Sequence, residues 1–527
     1  MDGTATATEK LRVEPFDEYN QRLVANVHPP GWTNPQPKDR YHLVAIGAGS
    51  GGLISSAGAA GIGAKSALIE RHLLGGDCLN VGCVPSKGVI SAARAWKVAA
   101  EAAEKFAGPS TSASGDFSKA MERMRRLRSE ISPADSAERY TELGVDVFLG
   151  HGRFTGPDTL EVDGKTLNFR RAVIATGARA AAPPIPGLED VGYLNNENIF
   201  TLTELPRRLL VIGAGPIGCE MAQSFARFGS DVTILDMADH ILPREDADAA
   251  AVVQSAMTRE GVSYEPRVKI SSAERKGDER IIHFERDGKS ESVTADQVLV
   301  AVGRAPNVEG LGLDEAGVKY ERHGVIVDDY LRTSNSRIFA VGDICSKYKF
   351  THMADAQARL VIENSLFFGP QLAEIFPWIA ARKKVSHLVV PWCTYTSPEI
   401  AHVGYYETDA REAGFDVETI KIDLSDLDRA VLDGESEGFL KLHIAKGSRR
   451  LNGRILGGTL VAEHAGEMIG ELALAVTAKL NVSAIGATIH PYPTQGEVYK
   501  RAADAWNRRR LTPGTKKFLQ RFFKIFK

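Results

Sequence analysis

Residues 41–70 read YHLVAIGAGSGGLISSAGAAGIGAKSALIE, and this stretch decides the fold class. An apolar strand runs into a Gly-rich turn, a helix of small residues follows, and a second strand ends in an acid. This is the pattern of a dinucleotide-binding βαβ unit. Gly47 permits the tight turn, Gly49 lets the backbone approach a pyrophosphate, and Gly52 lets helix and strand pack closely. Because Glu70 can accept hydrogen bonds from ribose hydroxyls, we predict a cofactor site at this turn.

The same pattern returns at residues 208–236, which read RLLVIGAGPIGCEMAQSFARFGSDVTILD. The three glycines are here Gly213, Gly215 and Gly218. Asp236 follows the first of them by 23 residues, which is the spacing of the first copy. An acid at this position suits the two ribose hydroxyls of NADH and repels the extra phosphate of NADPH. Two such units predict two dinucleotide sites, and we expect NADH rather than NADPH.

Since one enzyme rarely needs two nicotinamide nucleotides, we expect one of the two sites to hold FAD. Three further apolar strands end in turns: RAVIATGAR at 171–179, VLVAVGRAPN at 298–307 and SRIFAVGDIC at 336–345. We assign Thr176 and Gly177 to the FAD site and Gly303 to the nicotinamide nucleotide site. Asp343 follows a strand at a point where a carboxylate can bind the sugar chain of FAD. A helix cap is the alternative interpretation of Asp343.

Residues 75–88, GGDCLNVGCVPSKG, place Cys78 and Cys83 close together in a chain that has five cysteines. Paired cysteines serve as a metal clip, a structural staple or a redox switch. Five cysteines supply no disulfide framework for a chain of this length, and structural disulfides are rare in the cytosol. Zinc would want four ligands, whereas the other three cysteines are scattered singly. A redox switch is therefore the preferred interpretation.

The backbone around the two cysteines follows from their spacing. In a regular helix, residues five apart are separated by roughly 8–9 Å, and a disulfide tolerates Cα separations up to about 7 Å. Cys78 and Cys83 therefore cannot both lie in one ideal helix if they are bonded. Gly82 and Pro85 predict that a helix begins just after Cys83. Because a helix start lowers the pKa of a nearby thiol, we expect an easily reduced pair with one stabilised thiolate.

The composition of the 527-residue chain is that of an ordinary globular protein, 43% hydrophobic and 25% charged, and its length predicts two to four domains. A net charge of −3 argues against nucleic-acid binding. The sequence shows no apolar run of 18 residues and no signal-like N-terminus, so we expect a cytoplasmic protein. Residues 1–40 look like an irregular extension. From about Val390, a unit of mixed strands and helices follows that lacks a dinucleotide signature.

Two segments are predicted to form amphipathic helices. Within residues 116–140, we expect an apolar stripe that ends at Ile131 to pack in the core and the arginines to face solvent. Residues 508–527, RRRLTPGTKKFLQRFFKIFK, hold eight basic residues and no acid. This basic helix is interpreted as docked on its own protein or a dimer partner. The alternative is a weak contact of residues 514–527 with a membrane surface.

The segment GGDCLNVGCVPSK and the two Gly motifs resemble the class I pyridine-nucleotide-disulfide oxidoreductases, over roughly residues 41–513. This family includes glutathione reductase, dihydrolipoamide dehydrogenase and mercuric reductase. The resemblance implies an α/β homodimer whose chains have two Rossmann-like dinucleotide-binding domains, for FAD and NAD(P), plus a C-terminal α+β dimerisation domain. The predicted limits are an extension 1–40, the FAD-binding domain 41–200, the NAD(P)-binding domain 201–325, a second FAD-binding or central region 326–388, the dimerisation domain 389–510 and a basic tail 511–527.

The resemblance also implies roles for the site residues. In the mechanism of the family, NAD(P)H reduces FAD, and the flavin passes two electrons to the disulfide. By position, Cys83 is the thiol that touches the flavin in a charge-transfer complex, and Cys78 is the exposed thiol that attacks the substrate. Lys87 and Glu220 match the pair that the family places beside the reactive ring edge, so Lys87 also belongs to the FAD site.

The segment IHPYPTQGE at 489–497 departs from the dithiol-handling members, which carry a proton-relaying His before Pro-Thr and a Glu. Tyr492 holds the position of that His, Glu497 matches the Glu, and His490 lies two residues earlier. A Tyr with a pKa near 10 is a poor general base at neutral pH. Mercuric reductases resemble the chain in carrying a Tyr here. They deliver the metal through a C-terminal cysteine pair, whereas no cysteine follows Cys393 in this chain.

We therefore expect a mercuric-reductase-like, FAD-dependent enzyme that oxidises NADH or NADPH. It reduces an acceptor through Cys78 and Cys83, and the acceptor is a metal ion, a small disulfide or a quinone-like compound. We assign no resident metal site. The alternative enzyme is a dihydrolipoamide dehydrogenase, if His490 takes over the proton relay. The alternative of another class is a flavin-containing redox sensor or membrane-associated binding protein whose basic tail binds a partner.

Overall fold

The computed structural model describes residues 11–110, 115–367, 383–447, 452–509 and 511–526. In these residues the chain forms three units, each built around its own main sheet. The first sheet is mostly parallel, the second is parallel and the third is antiparallel. The predicted fold class, α/β with two Rossmann-like units and a C-terminal α+β unit, is confirmed. Residues 1–10 of the predicted extension and residues 368–382 of the predicted central region lie outside the described residues.

The first unit is a largely parallel sheet whose strands are buried because helices cover both faces. Its parallel strands, in spatial order, are Val145–Leu149, Ser66–Glu70, Tyr41–Ile46, Lys165–Ile174 and Ile338–Ala340. Antiparallel strands Arg153–Gly156 and Thr159–Val162 extend it. Its principal helices are Ser50–Gly61, Gly76–Asn80, Cys83–Phe106, Phe117–Ile131 and Thr351–Ile362. The first Gly-rich turn therefore lies at the carboxyl end of the central strand, where ligands bind in such sheets.

The second unit repeats the strand order of the first. Its parallel strands, in spatial order, are Val262–Glu265, Asp231–Leu235, Arg208–Ile212 and Gln297–Val300. Its helices are Pro216–Phe228 and Ala247–Arg259. An antiparallel sheet of strands Lys269–Lys276, Glu279–Arg286 and Lys289–Ala295 is attached to it. The second Gly-rich turn thus occupies the same place in its sheet as the first.

The C-terminal unit packs helices on an antiparallel sheet. The strands, in spatial order, are Trp392–Thr394, Glu399–Gly404, Ile455–Ala462, Phe439–Ala445 and Val417–Asp423. The helices of this unit are Glu407–Glu412, Asp428–Asp433, Ala465–Thr477, Val482–Ala487 and Glu497–Arg509. A last helix, Pro513–Ile525, follows them and has no buried residue. Every residue of the strand Ile455–Ala462 is buried, which marks it as the centre of this core.

Short elements complete the described structure, within the units and between them. They are the strand pairs Ala178–Ala180 with Arg304–Pro306 and Tyr320–Glu321 with Gly324–Val325, the helices Ala137–Glu142 and Leu188–Val191, the 3₁₀ turns Ser132–Asp135, Ile199–Thr201, Gly342–Ile344, Val385–His387 and Leu424–Asp426, and the π-helical turn Glu363–Phe367. Leu311, Leu313 and Val318 pack in the core of the first unit.

The domain limits taken from the sequence stay a prediction. Within the described ranges, no helix combines the length and apolar character needed to cross a bilayer.

The expectation of an irregular N-terminal extension is wrong for part of it. Residues Glu18–Val27 form a helix that Asp17 caps, with Leu23 and Val27 fully buried. Apolar residues at four-residue spacing put one face of this helix into the core of the first unit. The frequent prolines on either side of this short helix hid its periodicity.

The expectation for the arginines of helix Phe117–Ile131 is also wrong in part. Arg125 and Arg128 are buried, whereas Ile131 is 47% exposed. Arg128 donates one hydrogen bond to the Asn80 carbonyl oxygen at 2.5 Å and another to Asn20 Oδ1 at 2.6 Å. These two hydrogen bonds offset part of the cost of burying the guanidinium, and both acceptors lie far away in the sequence.

Candidate active site

The first Gly-rich turn has the geometry of a pyrophosphate cradle. Gly47 has φ of +93°, and a Cβ on Gly52 would collide with the Gly47 carbonyl oxygen, so both positions require glycine. Gly49 precedes helix Ser50–Gly61, and no side chain caps this helix. Its first N–H groups are therefore available to an anion. FAD, which carries a pyrophosphate, fits these residues.

Glu70 ends the strand beside this turn and is held by the backbone. Its Oε2 accepts from the Ala48 N–H at 2.6 Å and its Oε1 from the His72 N–H at 2.7 Å. Burial raises the pKa of Glu70, against the effect of these hydrogen bonds. The carboxyl group is thus fixed next to the Gly-rich turn, in the position expected for a ribose contact.

The second Gly-rich turn reproduces this arrangement. Gly213 has φ of +106°, and a Cβ there would lie 2.7 Å from the Ala301 carbonyl oxygen. A Cβ on Gly218 would collide with the Gly213 carbonyl oxygen. Asp236 Oδ2 accepts from the Ala214 N–H at 2.5 Å. Gly215 precedes the uncapped helix Pro216–Phe228, so this turn also offers free N–H groups to a phosphate.

The two cysteines lie on successive helices. Cys78 is in the short helix Gly76–Asn80, and Cys83 is the first residue of helix Cys83–Phe106, within one residue of the predicted start. Both are thiols in the structure. Contrary to the expectation, Cys83 is the exposed thiol and Cys78 is half-buried. A hydrogen bond from Cys78 and another from Thr351, whose Oγ1 lies 3.5 Å from Cys83 Sγ, lower the pKa of Cys83. The pKa of Cys78 is raised, mainly by its hydrogen bond with Cys83 and by burial. These opposite shifts favour Cys83 as the thiolate of the pair.

Lys87 and Glu220 are brought together, as the resemblance implied. Lys87 Nζ lies 2.9 Å from Glu220 Oε2, and the glutamate is buried. Tyr395 completes the cluster: its N–H donates to Glu220 Oε1 at 3.0 Å, and its ring centroid lies 4.3 Å from Lys87 Nζ. The three residues come from three different units, so this cluster ties the units together one helical turn from Cys83.

Asp343 follows the strand Ile338–Ala340 and lies in a 3₁₀ turn. Arg304 Nε is 3.2 Å from Asp343 Oδ2, and the same guanidinium donates to the Asp77 carboxylate beside Cys78. Burial raises the pKa of Asp343 despite Arg304. Arg304, which directly follows Gly303, was not predicted from the sequence.

The remaining cofactor residues lie in neighbouring loops. Thr176 Oγ1 donates to the Asn307 carbonyl oxygen at 3.0 Å, which joins two strand-end loops. Gly177 has φ of +67° and Gly303 has φ of +144°, so both turns need glycine. The predicted FAD and nicotinamide residues therefore gather at the carboxyl ends of the two parallel sheets.

Tyr492 and Glu497 lie in the C-terminal unit. The Tyr492 side chain is 69% exposed and its hydroxyl donates to Asp428 Oδ2 at 2.6 Å, which raises the pKa of Tyr492. Glu497 pairs with Arg501 at 3.2 Å. Among the residues that the structure describes, neither contacts the cysteines of the same chain. Within one chain, therefore, Tyr492 and Glu497 do not lie next to the cysteine pair, although the predicted site contains all of them.

His490, the alternative proton relay, is mostly covered. Its side chain is 7% exposed, and its Nε2 lies 3.0 Å from Glu471 Oε1. A relay must reach the substrate, whereas this ring is held against helix Ala465–Thr477. The arrangement is that of a histidine satisfied inside its own unit.

Comparison with known proteins gives the class that this fold and cysteine pair define. Residues 41–358 match the family described as pyridine nucleotide-disulphide oxidoreductase, and residues 390–503 match the dimerisation domain of that family. The chain belongs to this family. It is an FAD-dependent NAD(P)H oxidoreductase with a redox-active disulfide, and its C-terminal unit indicates a homodimer.

Individual relatives narrow the class to a mercuric-reductase-like enzyme. The mercuric reductase of Streptomyces lividans is 35% identical over 88% of this chain and 96% of its own. The dihydrolipoyl dehydrogenase of Geobacillus stearothermophilus is 32% identical over 88% of this chain and 95% of its own. Among solved structures, the Cu(II) complex of the HOCl-induced flavoprotein disulfide reductase RclA from Escherichia coli has a TM-score of 0.76 and 26% identity. The match covers 89% of this chain and 100% of the RclA chain.

Proposed function

We propose that the enzyme passes electrons from NADH through Cys78 and Cys83 to a thiol-binding metal ion, Hg(II) or Cu(II). The observation that carries this proposal is Tyr492, which holds the place of the proton-relaying His. Its hydroxyl donates to Asp428 and its pKa is raised, so it stays protonated at neutral pH. A dithiol substrate needs a base there, whereas a metal ion bound by thiolates does not.

Relatives support a metal acceptor. Mercuric reductases are 32–35% identical to this chain, and the RclA structure is a Cu(II) complex. The reaction balances with either ion: NADH and Hg(II) give NAD⁺, Hg(0) and one proton, or NADH and two Cu(II) give NAD⁺, two Cu(I) and one proton. In both cases the sulfur pair closes to a disulfide as the metal is reduced.

The residues of this chain prepare the sulfur pair. FAD, when bound, supplies the two-electron carrier between the nicotinamide and the cysteines. Hydrogen bonds from Cys78 and Thr351 hold Cys83 as a thiolate, and the Lys87 ammonium adds to this. Lys87 is itself fixed by Glu220 and Tyr395. Cys78 is then the thiol that meets the acceptor.

We assign the nicotinamide nucleotide to NADH. Asp236 is fixed by the N–H groups of Ala214 and Ala238, at 2.5 and 2.8 Å, with its carboxylate beside the turn. A fixed negative charge there repels a 2′-phosphate. The Gly213–Gly218 turn, with Gly303 across from it, forms this second site.

Dihydrolipoamide oxidation is the second candidate, because relatives with that name match over most of the chain. It would need a base that Tyr492 does not provide and that His490 supplies only if it leaves Glu471. The two candidates make different demands on one position, so a substitution at Tyr492 separates them.

The test is steady-state NADH oxidation by the purified holoenzyme with Hg(II), Cu(II), lipoamide, glutathione disulfide and quinone acceptors. We expect the metal ions to be the best acceptors and Cys78→Ser to lower that rate by about 100-fold or more. Tyr492→His should raise the lipoamide rate by about tenfold or more. Tyr320→His, at another exposed tyrosine, is the matched control. Fast lipoamide turnover by the unaltered enzyme, with slow metal reduction, would overturn the proposal.

A further inference from the structure

Every residue of the C-terminal helix Pro513–Ile525 is exposed except Leu519, which is half-buried. None of its residues is buried, and Phe518, Phe523 and Phe526 are 66%, 64% and 72% exposed. Monomeric proteins rarely display adjacent phenylalanines in water, since each buries a large apolar surface when it finds a partner. The helix therefore presents an apolar face that something else covers.

The helix is delimited by its own local signals. Thr512 caps it by accepting from the Thr515 N–H at 3.2 Å, and Pro513 occupies the first helical position. Phe522 contacts Phe523 and Phe526 with ring centroids 5.9 and 4.4 Å apart. The cap and these ring contacts all lie within the segment itself.

Apolar and basic residues occupy opposite faces of this helix. At about 100° per residue, its phenylalanines, leucine and isoleucine fall within an arc of about 160°. The basic residues and the single glutamine fill the rest, namely Lys516, Lys517, Gln520, Arg521 and Lys524. Residues 508–527 carry eight positive charges and no negative one, in a chain with a net charge of −3.

We infer that this helix binds the surface of an anionic lipid bilayer. A basic polar face opposite an aromatic and aliphatic face is the pattern of helices that lie in the headgroup region. The phenylalanines would enter the boundary between headgroups and acyl chains, and the lysines and Arg521 would contact lipid phosphates. A second copy of the chain is the competing occupant. The absence of any acid in this tail favours the uniformly negative surface of the bilayer.

The test is flotation of the full-length holoenzyme with vesicles of phosphatidylserine and phosphatidylcholine in equal parts, and with phosphatidylcholine alone. We expect binding to the mixed vesicles only, with loss at high salt because the attraction is screened. Lys516→Glu with Lys517→Glu should lower binding by about tenfold or more. Phe522→Gln with Phe523→Gln should do the same, because the apolar contribution is lost.

The matched control is Lys269→Glu with Lys289→Glu, which makes the same charge change on exposed positions of the second unit and should leave flotation unchanged. Light scattering and NADH oxidation are measured for every variant. Absence of binding to the mixed vesicles would overturn the inference. A tail variant that changes the subunit number while flotation stays the same would overturn it too, and would assign the helix to a second copy.

Discussion

The two Gly-rich turns are copies of one motif, yet their middle glycines have different surroundings. Each turn follows the central strand of a parallel sheet and ends beside an acid held by backbone N–H groups. Gly49 faces Gly76 so closely that a Cβ placed on Gly76 would lie 2.7 Å from the Gly49 Cα. Gly215 faces nothing within 4 Å. The cysteine-bearing loop therefore closes the first turn, while the second turn is open.

This difference explains how one motif serves two purposes. A nucleotide at the first turn is enclosed beside the segment that carries Cys78, which suits a resident cofactor. At the second turn, Ile217 and Val302 are 42% and 45% exposed, which suits a substrate that enters and leaves. We therefore expect the first turn to hold the resident flavin and the second turn to hold the exchanging nicotinamide nucleotide.

The largest expected effect is on the closed turn. Gly52→Ala should abolish flavin binding, because its Cβ collides with the Gly47 carbonyl oxygen. Flavin absorbance per chain and thermal unfolding measure this effect. Gly61→Ala, in the same helix with open space around it, should keep its flavin and change stability by no more than about 1 kcal/mol. Full flavin content in Gly52→Ala would contradict the cradle geometry.

The next effect concerns the open turn. Gly215→Ala meets no atom of the protein, so the fold and flavin content should stay normal. The methyl group stands where the pyrophosphate must approach, and we expect the KM for NADH to rise by about tenfold or more. Gly470→Ala, another position with open space, is the control. Loss of flavin in Gly215→Ala would mean that the two turns have been assigned the wrong way round.

A smaller effect should appear in coenzyme choice. Asp236→Asn removes the charge that repels a 2′-phosphate, so the preference for NADH over NADPH in kcat/KM should fall by about fivefold to tenfold. The substitution leaves the first turn untouched, and flavin content serves as the control. An unchanged ratio would show that Asp236 does not face the ribose.

The smallest effect is a shift in pH dependence. Because hydrogen bonds lower the pKa of Cys83, alkylation of this cysteine in the reduced enzyme should remain fast below pH 9, the ordinary pKa of a thiol, and slow only as the thiolate is protonated at lower pH. Thr351→Val removes one donor and should move the midpoint upward. Thr488→Val, at an exposed threonine of the C-terminal unit, is the control. If Thr351→Val does not move the pH midpoint of alkylation, Thr351 does not stabilise the Cys83 thiolate.

Local signals explain what the sequence alone could predict. The glycines, the acids after the strands and the helix start at Cys83 each reflect a backbone requirement within a few residues, so spacing reveals them. Tyr395 and Arg304 were missed because their partners, Glu220 and Asp77, lie 175 and 227 residues away.

The prediction that the arginines of helix Phe117–Ile131 face solvent was wrong in part for the same reason. Arg128 looked like a surface arginine, but in the interior it donates to Asn20 and to the carbonyl group of Asn80. Asn80 lies between the two cysteines in the sequence. Arg128 therefore links the N-terminal helix, which contains Asn20, to the segment that carries the cysteines. Only the folded chain brings these three residues together.

The most direct test follows the oxidation state of Cys78 and Cys83 during turnover, by differential alkylation and mass spectrometry under anaerobic conditions. After NADH is added to the oxidised holoenzyme, both cysteines should become alkylatable. After the metal ion is added, they should become protected again at the rate of NADH consumption. If NADH is consumed while the state of these two sulfurs never changes, electrons leave by another route and the account is contradicted.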